Sequence, residues 1–180
     1  MTPMFPSVTT VLEGVGFDMS HLPLEYSQRG TFVHKYAEYI ATNTPRPEVP
    51  EKWRGFCDAV DLFWSDIKPK PVLVEPELIH NLLGLVGHLD LLSKAVYWHD
   101  LWDYKTGSVP QYAGPQSMLY KLLVTHNFPH IKDIRRGAVE LSPKGKYKII
   151  PFEDDARDTA IAMEAYHNYM ERNGVKWSFR

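Results

Sequence analysis

Leu82–Thr106, LLGLVGHLDLLSKAVYWHDLWDYKT, is the stretch whose reading decides the fold. It is rich in leucine, β-branched and aromatic residues, as a pleated and half-buried surface requires. One carboxylate, Asp90, sits inside LLGLVGHLDLL, and another, Asp103, inside AVYWHDLWDYKT. Read as two strands with a turn near Ser93-Lys94, the segment is a hairpin that lays Asp90 beside Asp103. Alternate side chains of a strand share a face, so Asp103 and Lys105 point one way and Tyr104 the other. Two carboxylates on one face repel each other unless a cation lies between them. Burying either of them alone is costly. Such hard oxygen donors suit magnesium or manganese, and Lys105 could orient a water or, with its pKa lowered, deprotonate it. The alternative is a solvated ion pair of Lys105 with either aspartate. The apolar runs around both acids weigh against it.

Working outward, VLVEPELIH (72–80) reads as one further strand before the hairpin. Upstream, Phe32, Val33, Tyr36 and Ile40 recur at helical spacing within Gln28–Thr42. Pro45, Pro47 and Pro50 then mark a loop. Trp53, Phe56, Val60, Phe63 and Ile67 give a second helix, Glu51–Ile67, one apolar face. The opening PSVTTVLEGVGF reads as a short extended segment or the start of a helix. Downstream, Gly107–Pro115 is loop and Gln116–Thr125 a helix. Ala138–Leu141 and Tyr147–Ile150 are short strands. Asp154–Arg172 is a long amphipathic helix with acidic residues in its first turn. This order predicts an α/β fold, a single domain over residues 1–180 with a central mixed sheet flanked by helices.

Bulk properties agree with that size and class. The 180 residues are 44% hydrophobic and 23% charged, which excludes wholesale disorder, and the net charge is −2. A protein that coats nucleic acid by charge alone is thereby disfavoured. An enzyme whose carboxylates hold cations is not. Cys57 is the only cysteine, so an internal disulfide, a thiolate zinc site and an iron–sulfur cluster held within the chain are all excluded. Its neighbours Trp53, Phe56 and Val60 make it a buried thiol. No signal peptide and no membrane-spanning stretch is read, so a soluble cytoplasmic protein is expected, of a bacterium or a phage-infected cell.

RGTFVHKYAEYI, GHLDLL, DYKTG and QSMLY, in that order, resemble the motif set of the PD-(D/E)XK nuclease superfamily, and PSVTTVL resembles the opening of many of its members. The branch it is most similar to is the RecB-like one, with small phage exonucleases and the mitochondrial genome maintenance exonuclease. The matches run from Ser7 to Tyr120. The resemblance implies a restriction-endonuclease-like core and a reaction centre of His34, Asp90, Asp103 and Lys105. His34, Asp90 and Asp103, with the backbone carbonyl of Tyr104, would ligate one or two Mg2+ or Mn2+ ions, and Lys105 would align the attacking water. Gln116 and Tyr120, four apart and so on one helical face, would hold the site and the DNA. Glu75 is a tentative accessory acid, and Ser7 and Thr9 tentative phosphate contacts. Leu89 stands where the literal motif has proline.

The implied function is DNA hydrolysis at single-stranded ends or flaps, leaving 5′-phosphates and 3′-hydroxyls, in phage replication, recombination or repair. DNA is then the partner, with a recombination or replication protein possible. Arg29, Lys35, Lys121, Lys132, Arg135 and Arg136 are the candidates for phosphate contact. Two rivals stay open. His99-Asp100 could belong to an HD-type phosphohydrolase, although that scaffold is helical and this doublet reads as strand. A non-catalytic DNA-binding or recombination accessory module could share the fold.

Overall fold

The computed structural model describes residues 5–17 and 23–174. Its first element is a short helix, α1 (Val8–Leu12), capped by Ser7, whose hydroxyl accepts from the Thr10 amide. α2 (Leu24–Ala41) and α3 (Arg54–Ile67) follow. Then come β1 (Pro71–Val74), β2 (Glu77–His80), β3 (Leu85–His88), β4 (Leu91–Lys94) and β5 (His99–Thr106). α4 (Ala113–Asn127), β6 (Ile134–Leu141), β7 (Tyr147–Phe152) and α5 (Asp155–Arg172) complete it.

Five strands form one mixed sheet in the order β1-β4-β5-β6-β7, and β2 and β3 form a separate hairpin. β5 and β6 run parallel with α4 as their crossover, and the other neighbours are antiparallel. One face is covered by α2 and α3. There Val33, Tyr36, Phe56, Val60 and Phe63 pack on Leu91, Trp102, Tyr104 and Val139. Phe63 meets the rings of Trp102 and Tyr104 edge-on at 5.5 and 5.8 Å, an arrangement aromatic quadrupoles favour. The other face, with Leu92 and Leu101, is covered by α1, α4, α5 and the small hairpin. Cys57 is buried, as its neighbours implied.

Several boundaries differ from the sequence reading, each for a local reason. VLVEPELIH is two strands, because Glu75 adopts φ +45° and Pro76 has no N–H to donate. LLGLVGHLDLL likewise splits at Leu89-Asp90, so its halves join different sheets. The hairpin turns at Ala95–Trp98, where the Ala95 amide reaches the Trp98 carbonyl, and Ser93 and Lys94 are paired strand residues. α4 begins at Ala113 and takes in Pro115, which a first helical turn tolerates because its N–H would be unpaired there. β6 starts at Ile134, four residues before the predicted Ala138.

Gly87 lets the small hairpin approach the main body. A Cβ there would stand 2.6 Å from Leu123 Cδ1, 2.9 Å from Val8 Cγ2 and 3.0 Å from Tyr120 Cε1. All three neighbours are buried, so none can swing away. Gly87→Ala is therefore expected to cost about 1–3 kcal/mol by overpacking. Thermal unfolding should show a midpoint lowered by roughly 2–4 °C per kcal/mol. An unchanged midpoint would show that the contact has slack.

Candidate active site

β5 is longer than the strand beside it. Pairing with β4 ends at Leu91↔Trp102, whereas pairing with β6 continues to Thr106↔Leu141. From Asp103 onward one edge of β5 therefore has no strand against it. Continuing the register by one residue places Asp90 opposite Asp103, as the sequence spacing implied. Buried backbone groups need partners, and side chains supply them here. The Asp90 carboxylate accepts the Tyr104 amide at 2.6 Å, and Arg29 donates to the Thr106 carbonyl at 2.7 Å.

Around this gap the structure gathers His34 from α2, Glu75 from the end of β1 and Asp90 from the start of β4. Their donor atoms all lie within 4.8 Å of one another, and among the described residues they are the one cluster with the makings of a metal site. His34 Nδ1 is 3.1 Å from Asp90 Oδ1 and 4.0 Å from Glu75 Oε1. The left-handed turn at Glu75, whose amide donates to the Asp90 carbonyl at 3.0 Å, aims the carboxylate inward. Glu75, an accessory acid in the sequence reading, thus joins His34 and Asp90 in a cluster that does not include Asp103. No motif marked it. Its signal was the Glu-Pro break inside an apolar strand.

Asp103 instead meets Lys105, whose Nζ donates to its Oδ1 at 3.1 Å. Oδ2 lies 2.8 Å from the same nitrogen but accepts no hydrogen bond, leaving a buried carboxylate oxygen unsatisfied. Lys105 also donates to Gln116 Oε1 at 2.8 Å, and Gln116 Nε2 donates to the Tyr120 hydroxyl at 3.4 Å. The pair four apart on α4 is thus a relay that fixes the lysine. A cavity of about 480 Å³ lined by Gly30, His34, Lys35 and Glu75 opens on one side. Another of about 450 Å³, lined by Tyr26, Arg29, Lys105, Ser108 and Tyr112, opens on the other.

A family model described as the PD-(D/E)XK nuclease superfamily matches residues 51–173. The chain belongs to that superfamily. Among solved structures it is similar to the Eubacterium rectale protein named "Putative exonuclease", with TM-score 0.62 at 11% identity, over 97% of this chain and 83% of that one. A second structure, of SSO0001, gives TM-score 0.38 at 16% identity, over 92% of this chain and 84% of that one. Comparison with curated proteins gave no match.

Burial and mutual charge shift the titration of these groups in opposite directions. Burial would raise the Asp90 carboxyl, but His34, Lys105 and the Tyr104 amide hold it below its ordinary value. Burial and the charge of Asp90 outweigh Lys105 at Asp103 and hold that carboxyl high. Glu75 is pushed up to about 7 by burial and by Asp90. Burial pushes His34 down, yet the charge and hydrogen bond of Asp90 outweigh it and bring the imidazolium to about 9. Lys105, likewise penalised by burial, is raised by Asp103 and Asp90. Without a metal it is thus a held cation.

The expected phosphate contacts divide. Arg136 is buried, donating to Asp155, Asp158, Ser117 and the Gly114 carbonyl, so it ties β6 to α4 and α5 and is withdrawn from DNA. Lys121 pairs with Asp155 at 2.6 Å and Lys35 with Glu38 at 2.6 Å. Arg29 borders the site, and Lys132 and Arg135 are exposed elsewhere. The Ser7 hydroxyl is spent on capping α1, and Thr9 lies on that helix. His99-Asp100 sits at the far end of β5, where Asp100 accepts from Trp98 Nε1 at 3.0 Å, and neither residue joins the metal-capable cluster. No helix among the described residues is long and apolar enough to cross a membrane.

Without a metal, the raised values of Glu75 and His34 stabilise the fold fully below their unfolded values. That contribution is lost as pH rises, through about 7 for Glu75 and about 9 for His34. A divalent cation needs both groups deprotonated, so its binding strengthens over the same range. The melting temperature in EDTA should therefore fall from pH 6 to 10 while the gain from added Mn2+ grows. His34→Gln should flatten the upper part of both trends. A gain that shrinks as pH rises would place the metal elsewhere.

Proposed function

We propose that this chain is a Mg2+- or Mn2+-dependent deoxyribonuclease of the RecB-like branch, acting on single-stranded DNA or DNA ends and leaving 5′-phosphates. On this reading residues 1–180 form one nuclease domain. It works in the cytoplasm of a bacterium or a phage-infected cell, in replication, recombination or repair, and a protein of those processes is a candidate partner. One observation carries the catalytic reading above all. Lys105 is held by Asp103 and Gln116 beside the cluster of His34, Glu75 and Asp90. A scaffold kept only for binding has no need of a buried lysine fixed next to three potential metal ligands.

The donor set fits a hard divalent cation, being one imidazole and several carboxylate oxygens. His34, Asp90 and Asp103 would hold it, with Glu75 as the nearby third acid. The Tyr104 carbonyl is a further donor. A strand residue's N–H and C=O point to the same edge, and Tyr104's N–H points at Asp90. Oδ2 of Asp103, 2.8 Å from the Lys105 ammonium but without a hydrogen bond, would be a further donor oxygen. When bound, the cation supplies Lewis-acid polarisation of the scissile phosphate and a more acidic water.

The chain's own residues do the rest. Lys105, as a fixed ammonium, orients the attacking water and offers positive charge to the phosphate as negative charge develops on it. Gln116 and Tyr120 position Lys105. Raised well above its ordinary value by burial, Tyr120 stays a neutral hydroxyl in that relay. In the cavity beside Lys105, Arg29 is set to meet a phosphate, and Tyr26 and Tyr112 offer ring faces on which unpaired bases can stack.

The test incubates 5′- and 3′-labelled single- and double-stranded DNA with purified protein in Mg2+, Mn2+ or EDTA, beside Lys105→Ala and Asp90→Ala. Metal-dependent shortening is expected, reduced about 10²–10⁴-fold in Lys105→Ala and abolished in Asp90→Ala. The label lost first gives the polarity. Near-native activity in either folded variant would overturn the site. Intact DNA in every condition with binding retained would make the chain an accessory module.

A further inference from the structure

At the opposite end of β5 from Lys105, the β4–β5 hairpin displays side chains that a soluble surface ordinarily hides. Val96 and Tyr97 are 80% and 83% exposed. Next to them Trp98 is fixed from two sides. Its Nε1 donates to Asp100 at 3.0 Å, and the Arg135 guanidinium lies 3.5 Å over its ring. Tyr97, Trp98, Lys132 and Arg135 line a cavity of about 380 Å³ together with Lys121 and Asp133. Of its three cations only Lys121 has an acidic partner, Asp155. Among the described residues Lys132 and Arg135 form no ion pair. Nothing in the reaction centre uses these groups.

Aromatic faces interleaved with unpaired cations are the chemistry that grips single-stranded nucleic acid, bases on rings and phosphates on Lys and Arg. We infer that this patch is a second contact for the DNA strand, remote from the reaction centre and engaged only by substrates long enough to reach it. The inference rests on DNA being the substrate. Trp98, just before β5, and Lys105 are seven positions apart along the chain, about 23 Å at the rise of a strand. A stacked strand at about 3.4 Å per nucleotide spans that in roughly seven nucleotides. A strand of twenty can therefore occupy both places with its bases stacked, whereas one of five reaches both only when fully extended. Protein docking is the competing use of an exposed Tyr97. Lys132 and Arg135, which form no ion pair among the described residues although Asp100 and Asp133 lie near them, favour the polyanion.

The test measures anisotropy of labelled oligo-dT, 20 and 5 nucleotides long, with the full chain in EDTA, for the wild type, Tyr97→Ala and Arg135→Gln. Tyr97 is exposed, so its truncation leaves the fold intact. Each variant is expected to bind the 20-mer about tenfold more weakly than the wild type and to lose less on the 5-mer, which cannot gain from bridging the two places with stacked bases. Arg135→Gln should also lower the salt dependence of 20-mer binding by roughly 0.7 in the log–log slope. With Mn2+, KM for the 20-mer should rise while kcat stays constant. Unchanged 20-mer binding in both variants overturns the patch and leaves the nuclease reading intact, as docking of a protein there would. A wild type that binds no 20-mer overturns it too. A patch-dependent 20-mer affinity without any metal-dependent cleavage would uphold the patch and sink the nuclease.

Discussion

A single mismatch of strand lengths organises this molecule. β5 runs four residues past the last one that β4 pairs, and a buried strand edge cannot be left with bare amides and carbonyls. The hydrogen bond from the Tyr104 amide to Asp90 closes part of that edge at 2.6 Å, and Arg29 closes another part at the Thr106 carbonyl. A third backbone strand would have satisfied the edge equally well and produced an inert sheet. Satisfying it with a carboxylate instead brings a formal charge into the core, and the charge demands company. His34 and Lys105 answer that demand from two different elements, and Glu75 beside them keeps its proton.

The resulting electrostatics are those of a site short of positive charge. Three carboxylates and one imidazole lie close together, with Lys105 as the one permanent cation in contact with them. The fold compensates by holding protons, on His34 up to about 9 and on Glu75 up to about 7. Both protons occupy the electrostatic place of a divalent cation. Buried acids kept apart by a proton that a metal replaces are a costly way to stabilise a domain, since an unpaired buried charge is worth less than an apolar side chain in the same space.

Much of this was legible in the residue pattern. Asp90 and Asp103 fall opposite each other because the strands turn at Ala95–Trp98, a turn the sequence reading placed too early, near Ser93-Lys94. The helical relay of Gln116 and Tyr120 followed from their spacing of four. Glu75 was hard to read because its role depends on a left-handed backbone turn, which sequence marks only through the following proline. Arg136 was misread for the opposite reason. An arginine beside Arg135 and Lys132 looks like part of a basic surface, and alternation along β6 turns it inward while Arg135 faces out. Nothing local reports that Asp155 and Asp158 wait for it on α5.

The family match and the geometry are partly independent, and their overlap is informative. The matched segment, 51–173, contains Glu75, Asp90, Asp103, Lys105, Gln116 and Tyr120 but not His34. His34 reaches the centre through packing alone, because Val33, Tyr36 and Ala37 of α2 are buried against the sheet face that carries Tyr104. The residue next to Val33 is thereby carried to the rim, where Nδ1 stands 3.1 Å from Asp90. A helix docked on an apolar stripe for ordinary reasons of burial would leave its next residue pointing at solvent or at a neutral neighbour. This one points at the most demanding carboxylate in the molecule, and it extends the site beyond the segment by which the family is recognised.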